Sequence, residues 1–144
     1  MGFQRKYINK AREKIEQYSL FEQGFVMPQD IELEKIILGG LMIDSRTIEC
    51  IRLLSRLKPE VFYDAKNMLV ATAILNVHRS GSVIDPMIIT EELKKMGMLE
   101  DAGGIFYLTT LTTRIVSSIN VEFHYAIIYQ KYLRRLIIKI ASEA

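Results

Sequence analysis

Residues 81–104 read GSVIDPMIITEELKKMGMLEDAGG, a stretch in which chain-breaking residues flank a single amphipathic run. Asp85 is a favoured helix N-cap, and Pro86 is a favoured first helical residue. The apolar positions that follow share one helical face: Ile88, Ile89, Leu93 and Met96. Gly97 predicts the end of the helix. Three interpretations are open at this point: a ligand-binding loop, a short DNA-reading element, or turns within a helical module.

The sequence upstream of this stretch favours the helical module. Residues 30–44, DIELEKIILGGLMID, begin with an acidic turn that suits a helix N-terminus. The Gly39-Gly40 pair inside this helix predicts close approach of another helix. A phosphate-binding loop is excluded there because no Lys-Ser/Thr pair follows the glycines. Ser45 is predicted to cap a short helix that ends near Leu54.

The helix expected at the centre of the fold is AKNMLVATAILNVHRSG, residues 65–81. Asp64 precedes it as an N-cap, and apolar residues cover most of its circumference, which is typical of a helix that is buried on all sides. Gly81 predicts a left-handed end. The glycines of residues 81–104 therefore shape turns.

The last helix is the longest, and it is predicted to begin at Ser117 or Ser118. One stripe on it alternates spacings of four and three residues: Ile119, Phe123, Ala126, Gln130, Leu133, Ile137 and Ile140. This spacing is typical of a helix that packs against a partner helix. The candidate interface residues are Phe123, Tyr129, Leu133, Arg134, Ile137 and Ile140. The basic residues of this helix are interpreted as a solvated face or, alternatively, as a basic patch that meets a partner or nucleic acid: Lys131, Arg134, Arg135 and Lys139.

The predicted fold class is all-α, because no segment of convincing length alternates apolar and polar residues as a strand does. We expect a compact bundle of about six helices, followed by the long C-terminal helix as the beginning of a helical hairpin. The 144 residues and the 49% hydrophobic content are sufficient for one substantial core. Residues 1–27 are predicted to form a basic N-terminal arm, either a short helix or a mobile segment. Residues 28–144 are predicted to form the main domain.

Composition and spacing give no indication of an enzyme, a metal site or a membrane span. His78 and His124 are the only histidines, and neither has a neighbour at metal-ligand spacing. Cys50 is the only cysteine and is interpreted as a small buried apolar residue, so a reducing cytoplasm is the expected location. The net charge of +2 predicts weak or indirect contact with DNA. No catalytic, cofactor-binding or metal-binding residue is predicted.

The order of several segments resembles a known family. They are PQDIELEKIILGGLMID, LKPEVFYD, HRSGSVIDPMIITEELKKMGMLEDAGGIFYL and SSINVEFHYAIIYQKYLRRLI. In this order and spacing they resemble the N-terminal domain of the DnaB-type bacterial replicative DNA helicase, over about residues 28 to 140. Asn67 stands where many relatives carry a histidine, and Val116-Ser117 stands where they carry Pro-Ser. These departures suggest a divergent or phage-type member.

The resemblance implies a collar domain that assembles and docks partners. Copies of such a domain pair with one another, as a dimer or within a hexamer, and contact primase and a helicase loader. ATP and magnesium belong to a separate motor that follows the domain, so no cofactor is expected in this chain. Two alternatives come from other classes: a stand-alone helix-turn-helix-like DNA-binding module and a helical adaptor. A Gly-x-x-x-x-Gly-Lys-Ser/Thr motif beyond residue 144 would favour the helicase interpretation over both.

Overall fold

The computed structural model describes residues 5–11, 26–113, 118 and 120–143, and within these ranges the fold is all-α, as predicted. The six α-helices that follow the N-terminal segment are α1 Ile31–Ile43, α2 Ile48–Leu54, α3 Ala65–Arg79, α4 Pro86–Lys95, α5 Gly104–Thr113 and α6 Val121–Glu143. A 3₁₀ turn, Pro59–Val61, lies between α2 and α3. None of the described helices is long and apolar enough to cross a membrane.

Helix α3 lies at the centre of the bundle, as its composition predicts. Ten of its fifteen residues are buried, and it packs against α1, α4 and the 3₁₀ turn. The Asp64 carboxylate accepts hydrogen bonds from the backbone N–H groups of Lys66 and Asn67 at 2.9 and 3.2 Å. These bonds satisfy two donors that the first turn of a helix leaves without backbone partners.

Helix α4 and the turn after it form as residues 81–104 predict. The Asp85 side chain accepts from the Ile88 N–H at 2.9 Å, and Pro86 is the first residue of α4. Gly97 has a φ of 70°, and the following Met98 N–H donates back to the Leu93 carbonyl at 2.9 Å. Helix α4 therefore ends as predicted, with a glycine in the left-handed conformation and a hydrogen bond that satisfies a carbonyl of the last turn.

Two of the predicted helix ends differ. Helix α6 begins at Val121, after the predicted start at Ser117 or Ser118. Helix α2 is capped by Thr47, whose hydroxyl accepts from the Cys50 N–H at 3.3 Å, and Ser45 lies in the turn before it. Helix α1 packs against α3, α5 and α6, and at Gly40 the nearest neighbour is Ser118, which precedes α6. A Cβ added to Gly40 would lie 3.5 Å from the Ser118 Cβ, which is ordinary contact, so space alone does not require the glycine.

Part of the N-terminal segment is described by the structure. Residues 5–11 are helical, Tyr7 and Ile8 pack against the core, and Ala11 is buried. Residues 12–25 lie outside the described residues, and so do Val116 and Ser117. The boundary between arm and domain at residues 27 and 28 stays a prediction.

Candidate interaction surface on the last helix

Helix α6 has two apolar faces, and one of them packs against the bundle. Its buried residues are Val121, Tyr125, Ile128 and Arg135. The first three belong to the hydrophobic core, and α6 packs against α1, α2 and the 3₁₀ turn. The Tyr125 hydroxyl accepts a hydrogen bond from the Lys58 N–H at 3.1 Å. Burial raises the pKa of Tyr125 to about 12, so this anchor stays protonated across the physiological range.

The second face is the stripe that spacing predicts, and it points to solvent. Phe123, Ile137 and Ile140 are 67%, 66% and 68% exposed, and Leu133 is 41% exposed. Leu136 adds a further exposed apolar side chain beside them. We call Phe123, Leu133, Leu136, Ile137 and Ile140 the outer stripe. Leu133, Leu136, Ile137 and Ile140 are neighbours at helical spacing, and Phe123 lies about 15 Å further along the helix. A large exposed apolar patch is uncommon on a monomer and often marks an interaction site.

The other two candidate residues occupy different positions. Arg134 is exposed beside the outer stripe, and it makes no ion pair with another described residue. Tyr129 is partly buried and lies in a row of three rings. Its ring centroid is 6.1 Å from that of Tyr125 and 6.1 Å from that of Tyr132. Tyr129 therefore lies at the edge of the packed face of α6 and does not belong to the outer stripe.

Arg135 corrects the prediction of a solvated basic face. Its side chain is buried and donates to the carbonyl oxygens of Pro28 at 2.8 Å and Val61 at 2.9 Å. The guanidinium carbon lies 5.3 Å from the ring centroid of Tyr63 and 5.7 Å from that of Tyr132. The flat, delocalised cation fits between aromatic rings and offers several directed donors, which accounts for arginine here.

A buried polar cluster at the junction of α1, α3 and α5 was not predicted. Glu34 accepts three hydrogen bonds: from the N–H of Tyr63 at 2.7 Å, from the N–H of Asp64 at 3.2 Å and from the Asn67 side-chain amide at 3.0 Å. The Tyr107 hydroxyl donates to the Asn67 side-chain oxygen. We call Glu34, Asn67 and Tyr107 the buried polar cluster. The sequence gives one indication that Glu34 is buried, because Glu34 lies on the same helical face as the apolar residues Ile37 and Leu41.

Burial dominates the electrostatics of this cluster. It raises the pKa of Glu34, while the bonds from Asn67, Tyr63 and Asp64 and the charge of Arg135 act in the opposite direction. Burial also raises the pKa of Tyr107, and the nearby carboxylates of Asp64 and Glu34 add to that shift. The three hydrogen bonds match the lone pairs of a carboxylate, so the cluster ties α3 and α5 to α1.

Other groups with possible chemistry have structural roles. Cys50 is fully buried, as expected for a small apolar residue. Lys94 and Lys95 on α4 lie 3.1 and 3.8 Å from Glu91 and Glu92, so the helix that a DNA-binding module would use presents paired charges. Within the part of the chain that the structure describes, no group of three metal-binding side chains comes together.

The fold and its surface define a helical domain whose distinguishing feature is an exposed apolar stripe. The chain belongs to the DnaB-like helicase N-terminal domain family, whose sequence profile matches residues 26–130. It is 41% identical over 133 residues, 92% of this chain, to the replicative DNA helicase DnaB of Rhodothermus marinus. It is 32% identical over 118 residues, 82% of this chain, to the replicative DNA helicase DnaB of Geobacillus stearothermophilus.

A solved structure supports the same assignment. The crystal structure of the N-terminal domain of DnaB helicase from Mycobacterium tuberculosis aligns with a TM-score of 0.74 at 29% identity, over 82% of this chain and 84% of that one. The match covers 14% of the length of the Rhodothermus protein and 26% of the Geobacillus protein. The resemblance found in the sequence is therefore confirmed, and the chain corresponds to one domain of its relatives.

Proposed function

We propose that this chain is the assembly and partner-docking domain of a replicative DNA helicase acting in DNA replication. The observation that carries the proposal is the two-sided apolar character of α6. One face is covered by α1, α2 and the 3₁₀ turn, and the outer stripe is uncovered. The stripe repeats the spacing of a helix that packs against another helix. Its partner in this proposal is a second copy of the domain, as a dimer or within a hexameric ring.

Magnitudes indicate how strong self-association should be. Fully burying one Leu, Ile or Phe side chain contributes about 1.5–3 kcal/mol, and the stripe side chains are only about half exposed before association. Five such side chains on each of two copies contribute roughly 7–15 kcal/mol. Association costs about 4–15 kcal/mol in lost motional freedom. The two ranges overlap almost completely, so the outer stripe alone supports pairing no tighter than a Kd of about 10 nM and, at the middle of both ranges, only weak pairing.

Further partners belong to the same proposal. Primase and a helicase loader would dock on the α6 region, where Arg134 supplies an exposed charge beside the apolar side chains. ATP hydrolysis and strand separation would belong to the motor of the parent helicase, which would bind ATP and magnesium in the cytoplasm. This domain would hold no cofactor and would contact DNA weakly or indirectly, in keeping with its net charge of +2.

The test replaces Leu133 and Ile137 by Ser together. Both side chains are exposed, so we expect weaker association with nearly unchanged helix content and thermal stability. Ile128→Ser is the matched control on the packed face of the same helix. Since Ile128 is 1% exposed, its loss should destabilise the fold by about 2–5 kcal/mol.

Sedimentation velocity over a concentration series, combined with circular dichroism melting, separates the two effects. The expected result is a parent that associates with increasing concentration and a folded double variant that stays monomeric. A parent that is monomeric up to about 1 mM would contradict the proposal, because the free energy of association would then be weaker than about −4 kcal/mol. A double variant that has lost its helix content before heating would also contradict it.

A further inference from the structure

Arg135 is the last buried residue of α6. From Leu136 to Glu143 every side chain is exposed or half-exposed, so the C-terminal end of the helix projects beyond the bundle. The next buried residue toward the N-terminus is Ile128. Arg135 therefore occupies the point at which the helix leaves the bundle, and it is a charged residue where an apolar side chain would be sufficient for burial alone.

The contacts of Arg135 are directional in a way that apolar packing is not. Its two terminal nitrogens donate to Pro28, before α1, and to Val61, in the 3₁₀ turn. These two acceptors are far apart in the sequence, so one rigid guanidinium fixes α6 relative to two separate segments. A hydrogen bond weakens steeply when its angle departs from linear, whereas apolar contacts tolerate sliding. The two hydrogen bonds of the guanidinium therefore restrain the direction of α6 as well as its position.

The loop that receives Arg135 is itself held rigidly. Glu34 accepts from the N–H groups of Tyr63 and Asp64, two and three residues after Val61. The N–H groups of Tyr63 and Asp64 thus face a carboxylate of α1, and the carbonyl of Val61 faces the guanidinium of α6. Since both partners of this loop are buried, the loop offers Arg135 a fixed acceptor rather than a mobile one.

We propose that Arg135 is a positioning residue that sets the direction in which the C-terminal end of α6 leaves the bundle. The effect on association rests on the proposed function, because Ile137 and Ile140 of the outer stripe lie on that end. The effect on direction does not depend on any partner. Without Arg135, the last residue of α6 that packs against the core is Tyr132. The helix rises about 15 Å from Tyr132 to Ser142, so a swing of about 20° would move Ser142 by about 5 Å.

Pulsed electron–electron resonance tests the direction of the helix directly. Spin labels are attached at Met87→Cys on α4, where the side chain is 76% exposed, and at Ser142→Cys on α6. A Cys50→Ala background removes the only native thiol, and an excess of unlabelled protein prevents label pairs between copies. The variants are Arg135→Lys, which keeps the charge but not the planar fork, and Arg135→Met, which keeps most of the length. Arg134→Met is the matched control one residue away.

The expected result is a distance distribution that widens by several ångströms in both Arg135 variants, while thermal melting stays cooperative and Arg134→Met matches the parent. Unchanged distributions in folded Arg135 variants would overturn the proposal. Loss of the fold in both variants would also overturn it, since Arg135 would then support the whole bundle. The two proposals can fail separately. A monomeric parent would contradict the proposed function, and the distance between the labels would still show whether Arg135 sets the direction of the helix.

Discussion

Glu34→Gln is the most informative single change in the buried polar cluster. One carboxylate oxygen of Glu34 accepts from Asp64 and Asn67, and the other accepts from Tyr63. Glutamine keeps a single acceptor oxygen, so its NH₂ group faces at least one N–H donor in either orientation. A buried donor without an acceptor costs about 1–3 kcal/mol. We expect a loss of about 2 kcal/mol, which for a chain of this size lowers Tm by about 8 °C.

Glu32→Gln is the matched control on the same helix. The Glu32 side chain is 69% exposed and lies 2.9 Å from Lys35. An exposed ion pair of this kind contributes little, so we expect a change within about 0.5 kcal/mol. Urea unfolding followed by circular dichroism measures both variants at neutral pH. A Glu34→Gln variant as stable as Glu32→Gln would refute the reasoning, because the three hydrogen bonds would then contribute nothing measurable.

The pH dependence gives a second check on the same variant. Burial raises the pKa of Glu34 in the folded state above its value in the unfolded chain, so the folded protein binds the proton more tightly. The resulting stability is fully present below the unfolded value of about 4.3 and is lost as pH rises through the raised folded pKa. The stability of the parent relative to Glu34→Gln should therefore increase as pH is lowered from 7 toward 4.5. A constant difference over this range would contradict the raised pKa.

Two further predictions concern α5. Gly103 has a φ of 97°, and an added Cβ would lie 2.6 Å from the Tyr107 Cβ, whereas Gly97 has a φ of 70° with open space around it. Thermal melting should show a loss of about 2–5 kcal/mol for Gly103→Ala and about 1–2 kcal/mol for Gly97→Ala, and equal losses would contradict the contact. Tyr107→Phe removes the hydroxyl that donates to Asn67, so urea unfolding should show a loss of about 1 kcal/mol. The same change in an Asn67→Ala background should cost much less, and equal costs in the two backgrounds would contradict the hydrogen bond.

Local signals in the sequence account for most of the helix boundaries. Asp64, Asp85, Gly81 and Gly97 act on their own neighbours in the chain, and each has the predicted role. The prediction of Ser45 as the cap of α2 was wrong, because Thr47, which caps the helix, fits the same rule for hydroxyl residues. The turn that separates them is fixed by contacts such as the Ser45 hydroxyl with the Ile84 carbonyl at 3.5 Å.

The buried charges could be predicted only in part. Arg135 continues the four-three spacing of Val121, Tyr125 and Ile128, and Glu34 lies on the apolar face of α1. Periodicity is compatible with burial of both residues, but charge favours solvent, and Arg135 was assigned to a solvated face. Their partners decide the matter, and those partners are remote: Arg135 binds Pro28, 107 positions away, and Glu34 binds Asn67, 33 positions away. Spacing within one helix carries no information about such pairs.

The polar anchors of α6 also explain how a helix with two apolar faces adopts one orientation. The outer stripe lies about 130° around the helix from the packed face, since each residue turns by about 100°. Both faces offer aliphatic and aromatic side chains at helical spacing, so burial alone distinguishes them weakly. Rotating the outer stripe inward would withdraw Arg135 from the carbonyls of Pro28 and Val61 and Tyr125 from the N–H of Lys58. Each buried group left without a partner costs about 1–3 kcal/mol, so the rotated packing is disfavoured by several kcal/mol. Directed hydrogen bonds thus select which face joins the core, and they leave the outer stripe available to a partner.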